Sequence, residues 1–343
     1  MVPLRGRKGC NRVSNKLRWG IMGAAGIAKG AVIPAIQQSE TGVVTALASR
    51  DQDKAEAAAK EMNVQTAYGS YEALLADPDI DAVYIPLPNH LHREWAIRAA
   101  EAGKHVLCEK PLALNAGQAQ EMVDACARAG VHLAEAFMYR HHPLYELVAE
   151  IIRSGEIGEI RAIHSAFTFN NADDKSNVRY RKDWGGGSLY DVGCYPLSAA
   201  RLLLGTEPEA VTVQTFVSAE HDNVDMMASG LVEFAGGVAL TFDCGMWASF
   251  RNVLEIVGSE GRIELPQAFV INSDNPVFHV HTADQTREIK APQVNAYTMQ
   301  ADDFAAVVRG EQPPRFAAQD AVANMRLIDA CLLSAEQRSR ITL

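Results

Sequence analysis

The feature that most constrains this chain is a rhythm in its first 137 residues: short apolar runs, each followed by a helix-forming stretch. Leu17–Met22 runs into Gly23 and then into helical spacing over Ile27–Ile36. Val43–Ala48 is followed by Ala-rich Asp51–Met62, Ala82–Leu87 by His90–Ala102, and Lys104–Cys108 by Ala116–Ala129; Val131–Phe137 closes the series. Gly103 and Gly130 stand where helices end, and Pro86 and Pro88 stop the third run. Strands that are apolar throughout must be covered on both faces. Strands separated by helices run parallel. The pattern predicts an α/β unit with a doubly wound parallel sheet.

From Glu159 onward the period changes to two. Arg161–Phe169, Glu209–Ser218, Ala228–Phe234, Gly237–Cys244, Asn252–Val257 and Gly261–Leu265 read as strands, with Gly-containing turns at 235–237 and 258–261. Helices are expected at Ser188–Leu204, Tyr297–Arg309 and Ala318–Ser334. The second part is therefore an α+β domain with a large, mainly antiparallel sheet, and the boundary falls near residue 140. A length of 343 residues suits two such domains.

The chain carries a net charge of −10, which argues against nucleic acid as a partner. Residues 1–16 are basic (Arg5, Arg7, Lys8, Arg12, Lys16) and read as a disordered extension without the apolar core of a secretory signal. No run of 18 apolar residues occurs, so no membrane span is expected. Six scattered cysteines without a CxxC pair suggest neither a disulfide framework nor zinc, and fit a reducing cytoplasm.

After the first strand stands Gly23-Ala24-Ala25-Gly26-Ile27-Ala28. A dinucleotide fold needs a tight first turn, close backbone approach to the pyrophosphate, and a helix N-terminus aimed at the phosphates. The GxGxxA frame places Ala25 where a second glycine is usual. Glycine turns between strands and helices also occur without a ligand, so the strand–turn–helix context carries the Rossmann-type reading. The second strand ends in Ser49-Arg50-Asp51, with Lys54 one turn on. A hydroxyl, a guanidinium and an ammonium favour a 2′-phosphate, hence NADP over NAD, although Asp51 could reach a ribose hydroxyl. The same residues would also serve as a capped, solvated helix start.

Two further segments carry chemistry. The fourth strand ends at Glu109-Lys110-Pro111, and strand carboxyl ends face the ligand crevice in a doubly wound sheet. Gly185-Gly-Gly-Ser-Leu-Tyr-Asp191-Val-Gly-Cys-Tyr195-Pro196 brings three glycines, then a carboxylate and a phenol four residues apart on one helix face. A phenol near an ammonium has a lowered pKa and can exchange a proton with a substrate hydroxyl. A surface lysine and an ordinary helical Asp/Tyr pair are the bland alternatives. Neighbouring His141 and His142 cannot converge on one ion, so no metal is assigned.

The glycine turn, AVYIPLPNHLH, AGKHVLCEKP, EAFMYRHHP and GGGSLYDVGCYP occur in this order over residues 17–336. Together they resemble the Gfo/Idh/MocA family of sugar and polyol oxidoreductases. The tyrosine at 195 is similar to the branch of NADP-dependent D-xylose 1-dehydrogenases, dimeric dihydrodiol dehydrogenases and glucose–fructose oxidoreductases. The resemblance implies a dinucleotide-binding domain over 17–140 and a substrate-binding and oligomerisation domain over 141–343. It implies Tyr195 as acid/base, Lys110 on the nicotinamide ribose and tuning Tyr195, and Asp191 orienting substrate hydroxyls. Gly23 through Ile27 would hold the pyrophosphate, and Ser49, Arg50 and Lys54 the adenosine ribose phosphate. Pro86, Leu87, Asn89 and His92 would line the cofactor, with Tyr68 added to that set. Glu109 and Arg140 would contact the nicotinamide side, and Arg179 would reach the cofactor from the second domain.

The expected activity is NADP-dependent oxidation of an aldose such as D-xylose or glucose at C1 to a lactone. Reduction of 1,5-anhydrofructose or a 3-keto sugar, and oxidation of a trans-dihydrodiol, use the same groups. A non-catalytic NADP sensor is the reading of a different class, and the intact trio Lys110, Asp191 and Tyr195 argues against it. The expected partners are a sugar or polyol and, through the second sheet, one or three copies of the same chain.

Overall fold

The structure, a computed structural model, describes residues 16–272 and 274–343. The basic extension lies outside them except for Lys16, whose Nζ donates to Ser39 O at 3.0 Å. Six strands form the first sheet: β1 Leu17–Met22, β2 Gly42–Ala48, β3 Thr66–Tyr68, β4 Ala82–Ile85, β5 His105–Cys108 and β6 Leu133–Glu135. All pairs are parallel, in the spatial order β3-β2-β1-β4-β5-β6. Successive residues of a strand point to opposite faces. Trp19, Ile21, Leu47, Tyr84 and Leu107 pack on one face with α1 (Ile33–Gln38) and α2 (Gln52–Glu61). Met22, Ala48, Val83 and Ile85 pack on the other with α3 (Tyr71–Leu75), α4 (His92–Glu101) and α5 (Ala116–Ala129). Covering both faces is the reason these strands are apolar throughout. The strand order reverses between β1 and β4, so their carboxyl ends flank a crevice.

Nine strands form the second sheet: β7 Ile160–Asn170, β8 Ala210–Ser218, β9 Val224–Glu233, β10 Ala239–Gly245, β11 Trp247–Gly258, β12 Gly261–Leu265, β13 Val277–Thr282, β14 Thr286–Lys290 and β15 Ile341–Thr342. Their order is β14-β13-β12-β11-β7-β10-β9-β8-β15. Every neighbouring pair is antiparallel except β7 and β10, which run parallel. Four helices complete the chain: α6 Pro143–Ser154, α7 Cys194–Leu204, α8 Ala296–Val308 and α9 Ala318–Gln337. One face of the sheet is sealed by α7 and α9, where Ile163, Phe167, Leu197 and Met325 share a core. The opposite face presents His164, Thr241, Asp243, Arg251, Glu255 and Arg262, with Arg251–Asp243 and Arg262–Glu255 pairs at 3.2 and 2.9 Å.

The sequence pattern passed over β3, α3, α6 and β13–β15. The first two have three and five residues, too few to show a period. β14 carries charged residues on both faces, and β15 has two residues. The last helices also cross back to the first sheet. Phe304 of α8 lies 5.3 Å from Trp19 of β1, and Asp329 of α9 accepts the Ala116 N–H at the start of α5. No helix among the described residues is long and apolar enough to cross a membrane.

Candidate active site

At the end of β1 the backbone turns at Gly23 with φ +124°, a region unfavourable to residues bearing a Cβ, and an added Cβ would press on Leu87 at 3.1 Å. The helix that follows offers its first N–H groups to the crevice. At the end of β2, Asp51 is committed as the cap of α2, its Oδ1 accepting the Lys54 N–H at 3.0 Å. The cap is therefore Asp51. Arg50 and Lys54 make no ion pair or side-chain hydrogen bond among the described residues, although both line the crevice. Two uncompensated cations beside a glycine cradle fit the 2′-phosphate end of an NADP molecule.

The crevice continues as a cleft of about 910 Å³ between the two sheets. Gly23, Ala24, Ala25, Gly26, Ile27, Ser49, Arg50, Lys54, Pro86, Leu87, Asn89, Glu109, Lys110, Arg179, Asp191 and Tyr195 all line it. The structure thus brings together sixteen of the nineteen residues singled out from the sequence. At its inner end Glu109 Oε1 accepts from Tyr84 Oη at 2.6 Å, and the Lys110–Pro111 peptide is cis.

From the second domain, the helix after Gly187 starts with a wide i→i+5 turn over Leu189–Gly193. Such a turn takes a carbonyl out of the regular ladder. Asp191 O instead accepts from Lys110 Nζ at 2.8 Å. The Asp191 carboxylate sits 3.5 Å from Lys110 Nζ and accepts from Arg179 Nε at 2.7 Å. Burial acts to raise its pKa, but the two cations overcome that and hold it below the ordinary carboxylate range. Burial acts to lower the Lys110 ammonium; Asp191, Cys194 and Glu109 reverse it, and the pKa stands raised. Gly187, at φ +120°, is required by close approach: an added Cβ would fall 2.0 Å from Asp225 Oδ1. Asp225 accepts Ser188 Oγ–H and Leu189 N–H at 2.6 and 2.8 Å and so anchors this helix.

Tyr195 is 6% exposed, with Phe137, Phe167 and Phe269 rings 5.1 to 5.4 Å from its own. Its hydroxyl has no hydrogen-bond partner among the described residues. Here one expectation is corrected. Lys110 Nζ stands 5.1 Å over the centre of the Tyr195 ring and spends its bonds on Asp191. Burial dominates, and the phenol is pushed well above its ordinary value instead of below it.

Three expected cofactor residues do not line the cleft. His92 is buried with Nδ1 3.0 Å from Pro111 O and Nε2 2.7 Å from Leu87 O, and burial lowers its pKa to about 4. A neutral imidazole donates from one nitrogen, so it hydrogen-bonds one of these carbonyls and packs against the other between the β4 and β5 loops. Tyr68 donates to Asp77 Oδ2 at 2.9 Å. Arg140, 5% exposed, points behind the cleft to Ser198 and Asp320. The sequence reading also passed over Tyr71, Phe169, Trp184 and Tyr297, which line the cleft. Trp184 immediately precedes the triple glycine and stacks on His90 at 4.9 Å, while Asn89 Nδ2 donates to Gly185 O at 2.8 Å across the cleft. An exposed tryptophan beside a glycine run was the available signal. Tyr297 arrives from α8, far along the chain, and left none.

A model of the Gfo/Idh/MocA oxidoreductase family, NAD-binding Rossmann fold, matches residues 17–137, and the model of that family's C-terminal domain matches residues 145–264. The chain belongs to the Gfo/Idh/MocA family. This Gfo/Idh/MocA protein is an oxidoreductase, with the two-sheet fold the sequence implied. It is 41% identical over 329 residues to a D-xylose 1-dehydrogenase (NADP(+)) of Haloferax volcanii, a match covering 95% of this chain and all of the relative. A 3-ketoreductase from Actinomadura kijaniata, solved with NADP and TDP-benzene, superimposes with a TM-score of 0.88 at 34% identity, over 93% of this chain and 98% of that one. An aldose–aldose oxidoreductase from Caulobacter crescentus gives 0.89 at 27% identity, over 96% and 100%. NADP, the cofactor expected from Ser49, Arg50 and Lys54, is the one held by the solved 3-ketoreductase and named for the xylose dehydrogenase.

Proposed function

We propose that the protein is an NADP-dependent dehydrogenase of a free, uncharged sugar, with oxidation of an aldose at C1 to the lactone as its reaction. The observation that carries this reading is the distribution of charge in the cleft. The cations lining it are Arg50, Lys54, Lys110 and Arg179. The first two stand at the adenosine end. The other two are already paired with Asp191 beside Tyr195. Among the described residues, none is left at the inner end for the diphosphate of a nucleotide sugar, which calls for charge-assisted partners.

When bound, the nicotinamide supplies or takes up the hydride. In the oxidation Tyr195 reacts from its phenolate form and takes the proton of the C1 hydroxyl; in the reverse direction its phenol gives that proton to the carbonyl oxygen. Its unpartnered hydroxyl is free to meet that oxygen, and its aromatic walls exclude water. Asp191, fixed by Lys110 and Arg179, accepts a neighbouring sugar hydroxyl. Lys110 keeps positive charge next to the oxygen that gains negative charge in the transition state. Gly23 through Ile27 hold the pyrophosphate, and Ser49, Arg50 and Lys54 the 2′-phosphate.

A second reading, reduction of a keto sugar, is favoured by one observation: a phenol with a raised pKa is a proton donor at neutral pH. A panel of free aldoses, keto sugars and a dTDP-keto sugar, followed in both directions at the NADPH absorbance, tests the proposal. Turnover of D-xylose or glucose above all others supports it. Turnover confined to the dTDP-sugar removes it.

A further inference from the structure

The segment Glu135-Ala-Phe-Met-Tyr-Arg140 leaves β6 between the two catalytic centres of gravity, the Lys110 loop and the Tyr195 helix. Ala136 and Met138 line the cleft, while Glu135, Tyr139 and Arg140 do not. Their polar ends reach backwards to two separate places. Glu135 Oε1 accepts the Leu112 N–H at 2.8 Å, two residues beyond Lys110. Glu135 and Gln300 line a small cavity of about 60 Å³, and among the described residues Glu135 Oε2 and Gln300 Nε2 have no hydrogen-bond partner. Arg140 donates from Nε and Nη2 to Ser198 Oγ at 3.0 and 2.5 Å, and from Nη1 to Asp320 at 2.5 Å. Tyr139 Oη lies 2.6 Å from the same Ser198 Oγ. Ser198 follows Tyr195 by three residues on α7, so the two share a helix face one turn apart.

We propose that residues 135–140 are a brace that positions Lys110 and Tyr195 relative to each other, Glu135 fixing the loop of the first and Tyr139 with Arg140 fixing the helix of the second. Lys110, in the loop after β5, and Tyr195, on α7, come from different domains and lie 85 positions apart in sequence. One six-residue segment touches the supports of both. Reacting groups must be held to within a fraction of an ångström, and a 1 Å misplacement costs about 10²-fold in rate. Glu135, Tyr139 and Arg140 are positioning residues: they act through Leu112 and Ser198 and touch neither substrate nor cofactor. The inference rests on the proposed roles of Lys110 and Tyr195.

The test uses the full chain with Ser198→Ala, Glu135→Leu and Glu135→Gln, measuring kcat and KM for the best sugar and the NADPH Kd by fluorescence titration. Ser198→Ala is expected to lower kcat at least tenfold with KM and NADPH Kd within twofold of wild type. Glu135→Leu is expected to lower kcat by a similar factor and to raise the NADPH Kd at least threefold, because Lys110 loses its seat. Glu135→Gln, whose amide oxygen still accepts the Leu112 N–H, recovers both to within threefold. Variants that melt at lower temperature but keep wild-type kcat, KM and Kd overturn the brace. If Glu135→Leu does not fold, Ser198→Ala, the loss of one oxygen, decides alone. If Tyr195→Phe turns over like wild type, the proposed role of Tyr195 fails by itself, and the NADPH Kd of Glu135→Leu against Glu135→Gln still judges the brace at Lys110.

Discussion

The two ends of the cleft are built on opposite principles. At the adenosine end, Arg50 and Lys54 stand exposed, without an ion pair among the described residues, on a helix start capped by its own Asp51. At the catalytic end, Lys110, Asp191 and Arg179 are joined to one another, and Tyr195 sits in an aromatic wall. The first end waits for charge from the ligand and gains its binding energy only when that charge arrives. The second is satisfied in advance, so its groups need no rearrangement when a sugar enters. On the proposed roles, cofactor choice belongs to the open end and rate to the closed one.

The comparison breaks first, and by the largest margin, at Lys110. Lys110→Met leaves Asp191 with Arg179 alone. Turnover is expected to fall by roughly 10²–10³ and NADPH to bind about tenfold more weakly. Steady-state kinetics and a fluorescence titration on one preparation check both. Loss of binding without loss of kcat would place Lys110 with the open end. At that open end, Arg50→Ala removes one charge-assisted contact of roughly 1.5–3 kcal/mol, about 10- to 150-fold in affinity. The loss should appear in kcat/KM for NADP and leave that for NAD nearly unchanged. A wild type that prefers NAD would contradict the assignment of Arg50 and Lys54.

Glu135 sharpens the comparison from behind the closed end. Burial pushes its carboxyl up to about 7, against about 4.3 in an unfolded chain. The folded state therefore binds this proton more tightly. The group costs nothing below about pH 4, its cost grows as pH rises, and it is complete above about pH 7, where it amounts to about 4 kcal/mol at most. Glu135→Gln should melt higher than wild type at pH 8 and at the same temperature near pH 4, read by calorimetry. An equal gain at both pH values would mean that packing, not charge, is responsible. The smallest effect concerns the second sheet. Phe216 and Trp247, stacked at 4.4 Å, and Phe250 are exposed on its strands and offer an apolar patch for a second copy of the chain. Light scattering at micromolar concentration should give more than 37 kDa. A monomer at every concentration removes the oligomer and leaves the cleft untouched.

How much of this was legible follows from the same contrast. The parallel sheet was readable because its strands are sealed on both faces, and helix Ala116–Ala129 was placed to the residue because Asn115 and Gly130 cap it. The motif residues of the cleft were readable because strand carboxyl ends and glycine turns fix where side chains point. The direction of Arg140 was not. It lies in a turn after β6, and its partners Ser198 and Asp320 are 58 and 180 residues away, so no local pattern encodes them. The Tyr195 pKa was misread for a related reason. The lysine was visible in the sequence, whereas the burial that outweighs it comes from Phe137, Phe167 and Phe269 on three separate elements. The second sheet was legible where strands alternate and obscure where both faces carry charge, as in β14.

The central claim is that Tyr195 carries the proton at the closed end while cofactor binding does not depend on its hydroxyl. Tyr195→Phe keeps the ring and its aromatic neighbours and removes one oxygen. The measurement is kcat on the preferred sugar together with NADPH Kd for this single variant. The expected result is a fall in kcat of about 10²–10⁴ with Kd within twofold of wild type. A variant that binds NADPH normally and retains near-normal kcat would contradict the account, and would pass the proton to Asp191.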